Sequence, residues 1–204
     1  MRTYTESKTV YTFNELSDEA KQMAINNRME AENEFFDGET VYDDAKSVAA
    51  CFGLELDMRD KYKPCIYYSG FSSQGDGACF EGSYRYQKGA IKQLKAYALI
   101  DTKLHRIAQG LQDIQKVNFY QLRAITKHSG HYYHSGCMDV DVTRYDDKEM
   151  TKDAEETVTQ LLRDFADWIY NQLEENYDYA TSEENAKEYL EESSFEFFEN
   201  GEIA

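Results

Sequence analysis

The sequence YYSGFSSQGDGACFEG at residues 67–82 decides the fold, because it places a turn rich in glycine and serine between two aromatic segments. Residues 66–71 have the composition of a β-strand, and residues 78–86 return to a strand pattern. Between them, residues 72–77 carry glycine on both sides of Asp76, which is typical of a tight turn. The stretch therefore predicts a hairpin at the centre of the fold.

A second hairpin is predicted downstream of the first. Residues 119–126 alternate as a strand, a turn rich in serine, glycine and histidine follows, and residues 138–142 alternate apolar and acidic side chains. Residues 54–58 predict a further half-buried strand by the same alternation. We also expect an opening strand at residues 3–12 and a closing aromatic strand at residues 195–198.

Helices are predicted between and after the hairpins. Ser17 and Asp101 are expected to cap two of them, and Gly53 is expected to end a helix over residues 40–52. Three other helices are predicted at residues 89–98, 151–177 and 182–192. An apolar stripe after Asp101 predicts a further helix there. Runs of helices separated by hairpins favour an α+β fold. We expect one antiparallel sheet built around two hairpins, covered by several helices including a long C-terminal helix, in a single acidic domain over residues 1–204.

Composition excludes several classes of protein. The 41% hydrophobic and 14% aromatic content argues against disorder, although the net charge is −17. The sequence has no apolar run of about 18 residues and no apolar signal core at its N-terminus, which predicts a cytoplasmic protein that does not contact a membrane. Four scattered cysteines without a CxxC pair predict reduced thiols.

Charge is distributed unevenly along the chain. Residues 83–135 hold 9 Lys and Arg against 2 Asp and Glu, whereas residues 151–204 hold 3 against 16. In one interpretation the basic middle and the acidic ends neutralise one another in the folded protein. In the other, the C-terminal helices present carboxylates that imitate a phosphate strand and occupy a basic nucleic-acid channel. The net charge opposes direct binding of DNA or RNA.

The second interpretation names a candidate partner-binding surface and its partner. We expect a host protein with a basic surface, belonging to a nucleic-acid-binding complex. The candidate residues are carboxylates of the two C-terminal helices: Glu155, Glu156, Asp164, Asp167, Glu174, Glu175, Glu183 and Glu184.

The loop of the first hairpin is a second candidate site. Glycines leave backbone amides exposed and permit a positive φ, so the loop could approach a ligand, although a tight turn needs the same residues. The sequence matches neither the GxGxxG nor the GxxxxGK[ST] pattern, so nucleotide binding has no motif in its support. The structural motif or possible ligand loop comprises Ser69, Gly70, Gln74, Gly75, Asp76, Gly77 and Glu81.

Metal binding and catalysis are alternatives at the two hairpins. His128, His131, His134 and Cys137 are spaced three residues apart and are all possible transition-metal ligands, but the spacing lacks the paired ligands of common zinc sites. The alternative interpretation is that these side chains are turn residues that form local hydrogen bonds. A small hydrolase or metal-dependent enzyme would use Asp76 and His134, with a nearby serine as the nucleophile. The sequence does not fix that geometry and implies no cofactor.

Two passages also carry a family resemblance. SGFSSQGDGACFEG at residues 69–82 and FNELSDEAK at residues 13–21 resemble a family of small acidic proteins encoded by tailed phages and prophages, often labelled hypothetical or antitoxin-like. YYHSGCM at residues 132–138 is similar to the second hairpin of that family. The resemblance carries over no catalytic residue.

The resemblance implies a phage-encoded protein, and such a protein is expected to redirect or block a molecular machine of the host cell. The expected function is therefore inhibition of a host nucleic-acid-directed defence or processing complex, of the anti-CRISPR or anti-restriction class. An antitoxin-like protein that neutralises a partner toxin is the first alternative, and the enzyme described above is the second.

Overall fold

A computed structural model describes residues 7–204, and six α-helices and six β-strands form within that range. The helices are α1 (Asp18–Phe35), α2 (Glu39–Cys51), α3 (Ala90–Tyr97), α4 (Thr102–Val117), α5 (Ala154–Ala180) and α6 (Glu183–Glu192). The strands are β1 (Leu54–Leu56), β2 (Ile66–Tyr68), β3 (Ala78–Phe80), β4 (Gly82–Arg85), β5 (Leu122–His128) and β6 (Met138–Arg144). The predicted α+β fold with antiparallel strands and a long helix near the C-terminus is confirmed.

The chain divides into two compact units. The larger unit is Gly38–Glu174, and the described part of the smaller unit comprises residues 7–37 and 175–204. All six strands and the greater part of α5 belong to the larger unit, whereas α1 and α6 belong to the smaller one. The single domain over residues 1–204 stays a prediction.

The larger unit contains two antiparallel sheets. Four strands form one sheet in the order β1-β4-β5-β6, and β2 pairs with β3 in the other. The β2–β3 hairpin therefore lies outside the four-stranded sheet, although the sequence predicted it at the centre.

The predicted return strand over residues 78–86 is divided at Glu81. The Glu81 amide donates to the carbonyl of Cys65, and the Glu81 carbonyl accepts from the amide of Asp57, so the chain leaves one sheet and enters the other at this residue. A Cβ atom on Gly82 would lie 2.4 Å from the carbonyl oxygen of Glu55. Glycine is thus required where β4 approaches β1.

One face of the four-stranded sheet is covered and the other is open to solvent. Along β5, Leu122, Ala124 and Thr126 are buried, while the residues between them are exposed. Helix α4 contacts the covered side, since the side chain of Gln115 donates to the hydroxyl of Tyr84 at 3.3 Å and to the carbonyl of Leu122 at 2.7 Å.

Helix α5 buries one broad apolar face within the larger unit. The ring of Phe165 lies edge-on to Phe52 at 5.0 Å and to Phe80 at 5.6 Å between ring centroids. Leu162 and Ile169 are fully buried on the same face. Burying a side chain of this size stabilises a protein by about 1.5–3 kcal/mol, so packing of this face fixes the rotation of the helix about its axis.

The smaller unit has its own apolar cluster, which includes Phe13 and Phe197. Ser17 caps α1 as predicted, because its hydroxyl accepts the amide of Ala20 at 3.2 Å. The two predicted terminal strands are absent from residues 7–204. Tyr11 forms an isolated bridge with Phe197, and Phe197 forms another with Ile203.

The chain reverses at Gly201, which has a φ of 89° and lies between the two residues of the second bridge. Residues 3–6 of the predicted opening strand lie outside the described residues. Within residues 7–204, none of the helices combines the length and the apolar composition that a membrane span requires.

Candidate functional site

The exposed side of α5 carries a row of carboxylates. At about 100° of rotation per residue, Glu156, Asp164, Asp167 and Glu174 fall within an arc of about 80°, on the side opposite the buried Phe165. We call these four residues the α5 carboxylate row. Glu156 is exposed and the other three are half-buried. The row extends over about 27 Å at 1.5 Å per residue.

The other predicted carboxylates lie outside this row. Glu175 is exposed and borders the row, whereas Glu155 is exposed in the first turn of α5 and points about 100° away from Glu156. Glu183 and Glu184 occupy the first turn of α6, where Ser182 caps the helix through the amide of Asn185. Negative charge in a first turn stabilises a helix through the macrodipole, so these two residues have a local structural role.

The α5 carboxylate row forms no ion pair among the described residues, since no Lys, Arg or His lies within 4.0 Å of its carboxylate oxygens. Asp164 accepts a hydrogen bond from the neutral side chain of Gln160 at 2.8 Å. Two basic residues lie near the row: Arg163 is on the same side of the helix and donates to the carbonyl of Met138 at 3.0 Å, and Nζ of Lys103 lies 3.2 Å from the side-chain oxygen of Asn171. The carboxylates of the row therefore outnumber the basic side chains beside them.

The loop at Asp76 is a closed turn. One carboxylate oxygen of Asp76 accepts the amides of Ser72 at 3.0 Å and Ser73 at 2.6 Å. Gly75 has a φ of 99°, which explains the glycine on that side. The carboxylate thus serves the turn itself, and Gln74 is exposed at its tip.

The same loop packs against α5 through aromatic residues. The hydroxyl of Tyr170 donates to the carbonyl of Gly70 at 3.0 Å, and the Tyr170 ring stacks on Phe71 at 5.7 Å. Burial raises the pKa of Tyr170, and the charges of Glu174 and Asp76 raise it further. The neighbouring hydroxyl of Ser69 is buried and has no hydrogen-bond partner within residues 7–204.

Glu81, the last residue of the predicted loop, connects the hairpin to β5. Its carboxylate accepts the amide of His128 at 3.2 Å and lies 3.5 Å from Nζ of Lys127. These contacts give the carboxylate of Glu81 a structural role.

The structure brings His134 beside the loop, as the enzyme hypothesis required, but not in a catalytic arrangement. A Cβ atom on Gly77 would lie 2.6 Å from Cβ of His134, so the bare glycine permits this approach. Among the described residues, no hydrogen bond joins His134 to Asp76.

The hydrogen bonds of the His134 ring oppose a role as general base. Its Nδ1 accepts the amide of Gly136 at 3.1 Å, and its Nε2 lies 3.4 Å from Sγ of Cys137. In the neutral ring, an accepting Nδ1 places the proton on Nε2, which then donates toward sulfur. Such a ring has no free lone pair with which to deprotonate a nucleophile.

The other two candidate histidines, His128 and His131, each pack against aromatic rings. His128 lies 5.6 Å from Tyr67 and 5.0 Å from Tyr133, measured between ring centroids. His131 lies edge-on to Tyr132 at 5.3 Å. In the part of the chain that the structure describes, no group of three or more His, Cys, Asp or Glu residues is placed to hold a metal ion.

Sequence reasoning missed one surface feature. Arg85 of β4 lies directly opposite Arg123 of β5, on the open face of the four-stranded sheet. Both residues were visible in the basic middle of the chain. Their pairing depends on a strand register that no local sequence pattern indicates.

The fold and its surfaces define an α+β protein with an open antiparallel sheet and a row of carboxylates on its long helix. The chain belongs to the family described as a domain of unknown function, DUF8835, which matches residues 38–183. That range includes the α5 carboxylate row and both hairpins. Comparison with curated proteins found no match, and comparison with solved structures found none either.

Proposed function

We propose that this protein inhibits a host nucleic-acid-directed defence or processing complex by docking its acidic α5 surface on a basic surface of that complex. The observation that carries the proposal is the α5 carboxylate row, in which four side chains share one exposed side of a helix without an ion pair among the described residues. A solvated helix surface needs acidic residues, but it does not need four of them along one line without an ion pair.

The density of charge decides how far the surface imitates a nucleic acid. One strand of duplex DNA carries a phosphate about every 3.4 Å, so about eight phosphates occupy the length of the row. The row supplies four carboxylates over that length, and Glu175 borders it. The surface is therefore suited to electrostatic docking on a phosphate-binding groove rather than to a match with each phosphate.

Electrostatics would act mainly on the rate of association. Complementary charge steers encounter and can raise association rates to about 10⁸–10⁹ M⁻¹s⁻¹ at low salt. Exposed charges are screened over about 8 Å at physiological ionic strength, so the interaction should weaken as salt rises. The net charge of −17 adds to the steering field.

The resemblance to phage and prophage proteins suggests which basic complexes to test and where the protein acts. Guide-RNA-directed nucleases and restriction endonucleases are the proposed targets, in the cytosol of the host cell. The antitoxin alternative stays a prediction, and a small co-purifying toxin would favour it.

A cleavage assay with purified restriction endonucleases and guide-RNA-directed nucleases tests the proposal. We expect the protein to inhibit cleavage by at least one of them, with less inhibition at higher salt. A row variant (E156Q, D164N, D167N, E174Q) should lose inhibition. A matched control variant (D113N, D139N, D141N, E149Q), with the same change in charge outside α5, should retain it. Absence of inhibition, or equal inhibition by the row variant, would reject the proposal.

A further inference from the structure

Two arginines lie side by side on the open sheet face. Arg85 and Arg123 are directly opposite each other in the β4–β5 ladder, and both are exposed. Nε of Arg123 donates to the hydroxyl of Thr143 at 2.9 Å, whereas Arg85 has no side-chain hydrogen bond within residues 7–204. Neither guanidinium has a carboxylate partner among the described residues. Like charges in this position destabilise a sheet, yet they remain unpaired in a chain of net charge −17.

An exposed aromatic ring lies beside Arg123. The guanidinium of Arg123 lies 5.0 Å from the centroid of the Tyr145 ring. The amide of Tyr145 donates to the carbonyl of Gln121, which brings the end of β6 to the same edge. Tyr86, which follows Arg85 in the chain, packs on Tyr120 at 4.5 Å.

The turn before β5 holds two further aromatic residues in an unfavourable backbone conformation. Phe119 and Tyr120 have φ values of 58° and 60°, in the left-handed region that bulky residues rarely adopt. The buried Gln115 maintains the turn, because its carbonyl accepts the amide of Tyr120 at 2.7 Å and its side chain accepts the amide of Leu122 at 3.1 Å. Phe119 is 74% exposed, and its ring lies 5.8 Å from the guanidinium of the buried Arg144.

We propose that this arginine–aromatic patch binds a carboxylate-bearing segment of a partner protein. The patch consists of Arg85, Arg123 and Tyr145. Arginine and tyrosine are enriched among the residues that contribute most to protein interfaces. Directly opposite residues have Cβ atoms about 5 Å apart, so both guanidiniums can reach one carboxylate through charge-assisted hydrogen bonds. An apolar side chain next to that carboxylate would pack on the ring of Tyr145.

The surrounding charges favour a short acidic segment over a nucleic-acid strand. On the same face of the sheet, Asp141 lies opposite Ile125 and Asp139 lies opposite Lys127. A continuous polyanion that crossed this face would meet these two carboxylates and the overall negative field. A segment with one or two carboxylates would end before reaching them. This surface is opposite in charge to the α5 carboxylate row, so the inference does not depend on the proposed function.

Selection from a random peptide library on the full chain tests the proposal. We expect the selected peptides to contain Asp or Glu beside aromatic or aliphatic residues. Their affinity should fall at least about tenfold for the R85S/R123S variant. A matched control, R106S/K116S, removes two exposed charges from α4 and should change affinity less than about twofold. The R85K/R123K variant should recover part of the binding, because it keeps the charge and loses the planar donor geometry.

Measurements on the unchanged protein keep the test independent of variant folding. In NMR titrations, a selected peptide should shift the backbone amide resonances of β4, β5 and Tyr145. Selected peptides without acidic residues, or shifts confined to other elements, would overturn the proposal. So would binding of a random single-stranded oligonucleotide that R85S/R123S abolishes, because the occupant would then be a nucleic acid. Self-association that depends on Arg85 and Arg123 would equally overturn it, in favour of a second copy of the chain.

Discussion

Glu156 and Glu174 point in the same direction from α5, about five complete helical turns apart. The intervening turns place Asp167 within about 20° of the line between them. Leu162, Phe165 and Ile169 of the same helix are fully buried, so the rotation of the helix is fixed and the carboxylates remain on its outer side. The acidic surface is thus a consequence of how the larger unit packs.

The contact between Gly77 and His134 predicts a stability effect at the first hairpin. The G77A variant should lower the free energy of unfolding by about 1–3 kcal/mol, because the added methyl group would lie 2.6 Å from Cβ of His134. Urea denaturation measures the loss. The S72A variant is the control, since only the backbone amide of exposed Ser72 contacts Asp76, and it should remain within about 0.5 kcal/mol of the unchanged protein. Equal stability of G77A and the unchanged protein would show that the hairpin tip can move away from His134.

The role of Gln115 predicts that the turn at Phe119 depends on a buried amide. Gln115 is fully buried, and its side chain bonds both the carbonyl and the amide of Leu122. A Q115L substitution leaves these backbone groups without partners, at a cost of about 1–3 kcal/mol for each one that stays buried. Thermal unfolding should show a lower midpoint for Q115L. Q109L, on the exposed side of α4, provides the comparison, and a similar decrease there would remove the special role assigned to Gln115.

Cys79 predicts a loss of stability at alkaline pH. Burial is the main cause that raises the pKa of Cys79 from 9.0 to about 12. Above pH 9 the unfolded chain releases the thiol proton while the folded protein retains it, so the free energy of unfolding falls as pH rises toward 12. The slope from this group is at most about 1.4 kcal/mol per pH unit. Urea denaturation between pH 8 and pH 11 should show a steeper fall for the unchanged protein than for C79A.

Tyr84 contributes to the same trend, since burial raises its pKa from 10.0 to about 12. C79A should therefore retain some alkaline destabilisation. If the two proteins lost stability in parallel across this range, Cys79 would not be the group responsible.

The features that the sequence predicted correctly depend on local interactions. Ser17 and Asp101 cap α1 and α4 as expected, because a cap involves only the next three residues. Gly53 follows α2 with a φ of 84°. The apolar stripe of α5 likewise follows from its helical period.

Features that depend on distant residues were not predictable from the same patterns. The division of the strand at Glu81 requires the approach of β1 to Gly82, and these segments are far apart in sequence. That division also sets the register that pairs Arg85 with Arg123. The carboxylates of α5 were visible in the sequence, but the absence of ion pairs at the row depends on where the basic side chains fold.

The most direct test of the central claim is the salt dependence of binding to whichever nuclease the protein inhibits. The affinity of the unchanged protein should fall steeply as salt concentration rises. The row variant (E156Q, D164N, D167N, E174Q) should bind at least about tenfold more weakly at low salt, with a shallower dependence on salt. The control variant (D113N, D139N, D141N, E149Q) should behave as the unchanged protein does. Equal affinity and equal salt dependence for the row variant and the control would contradict a role for the acidic surface of α5.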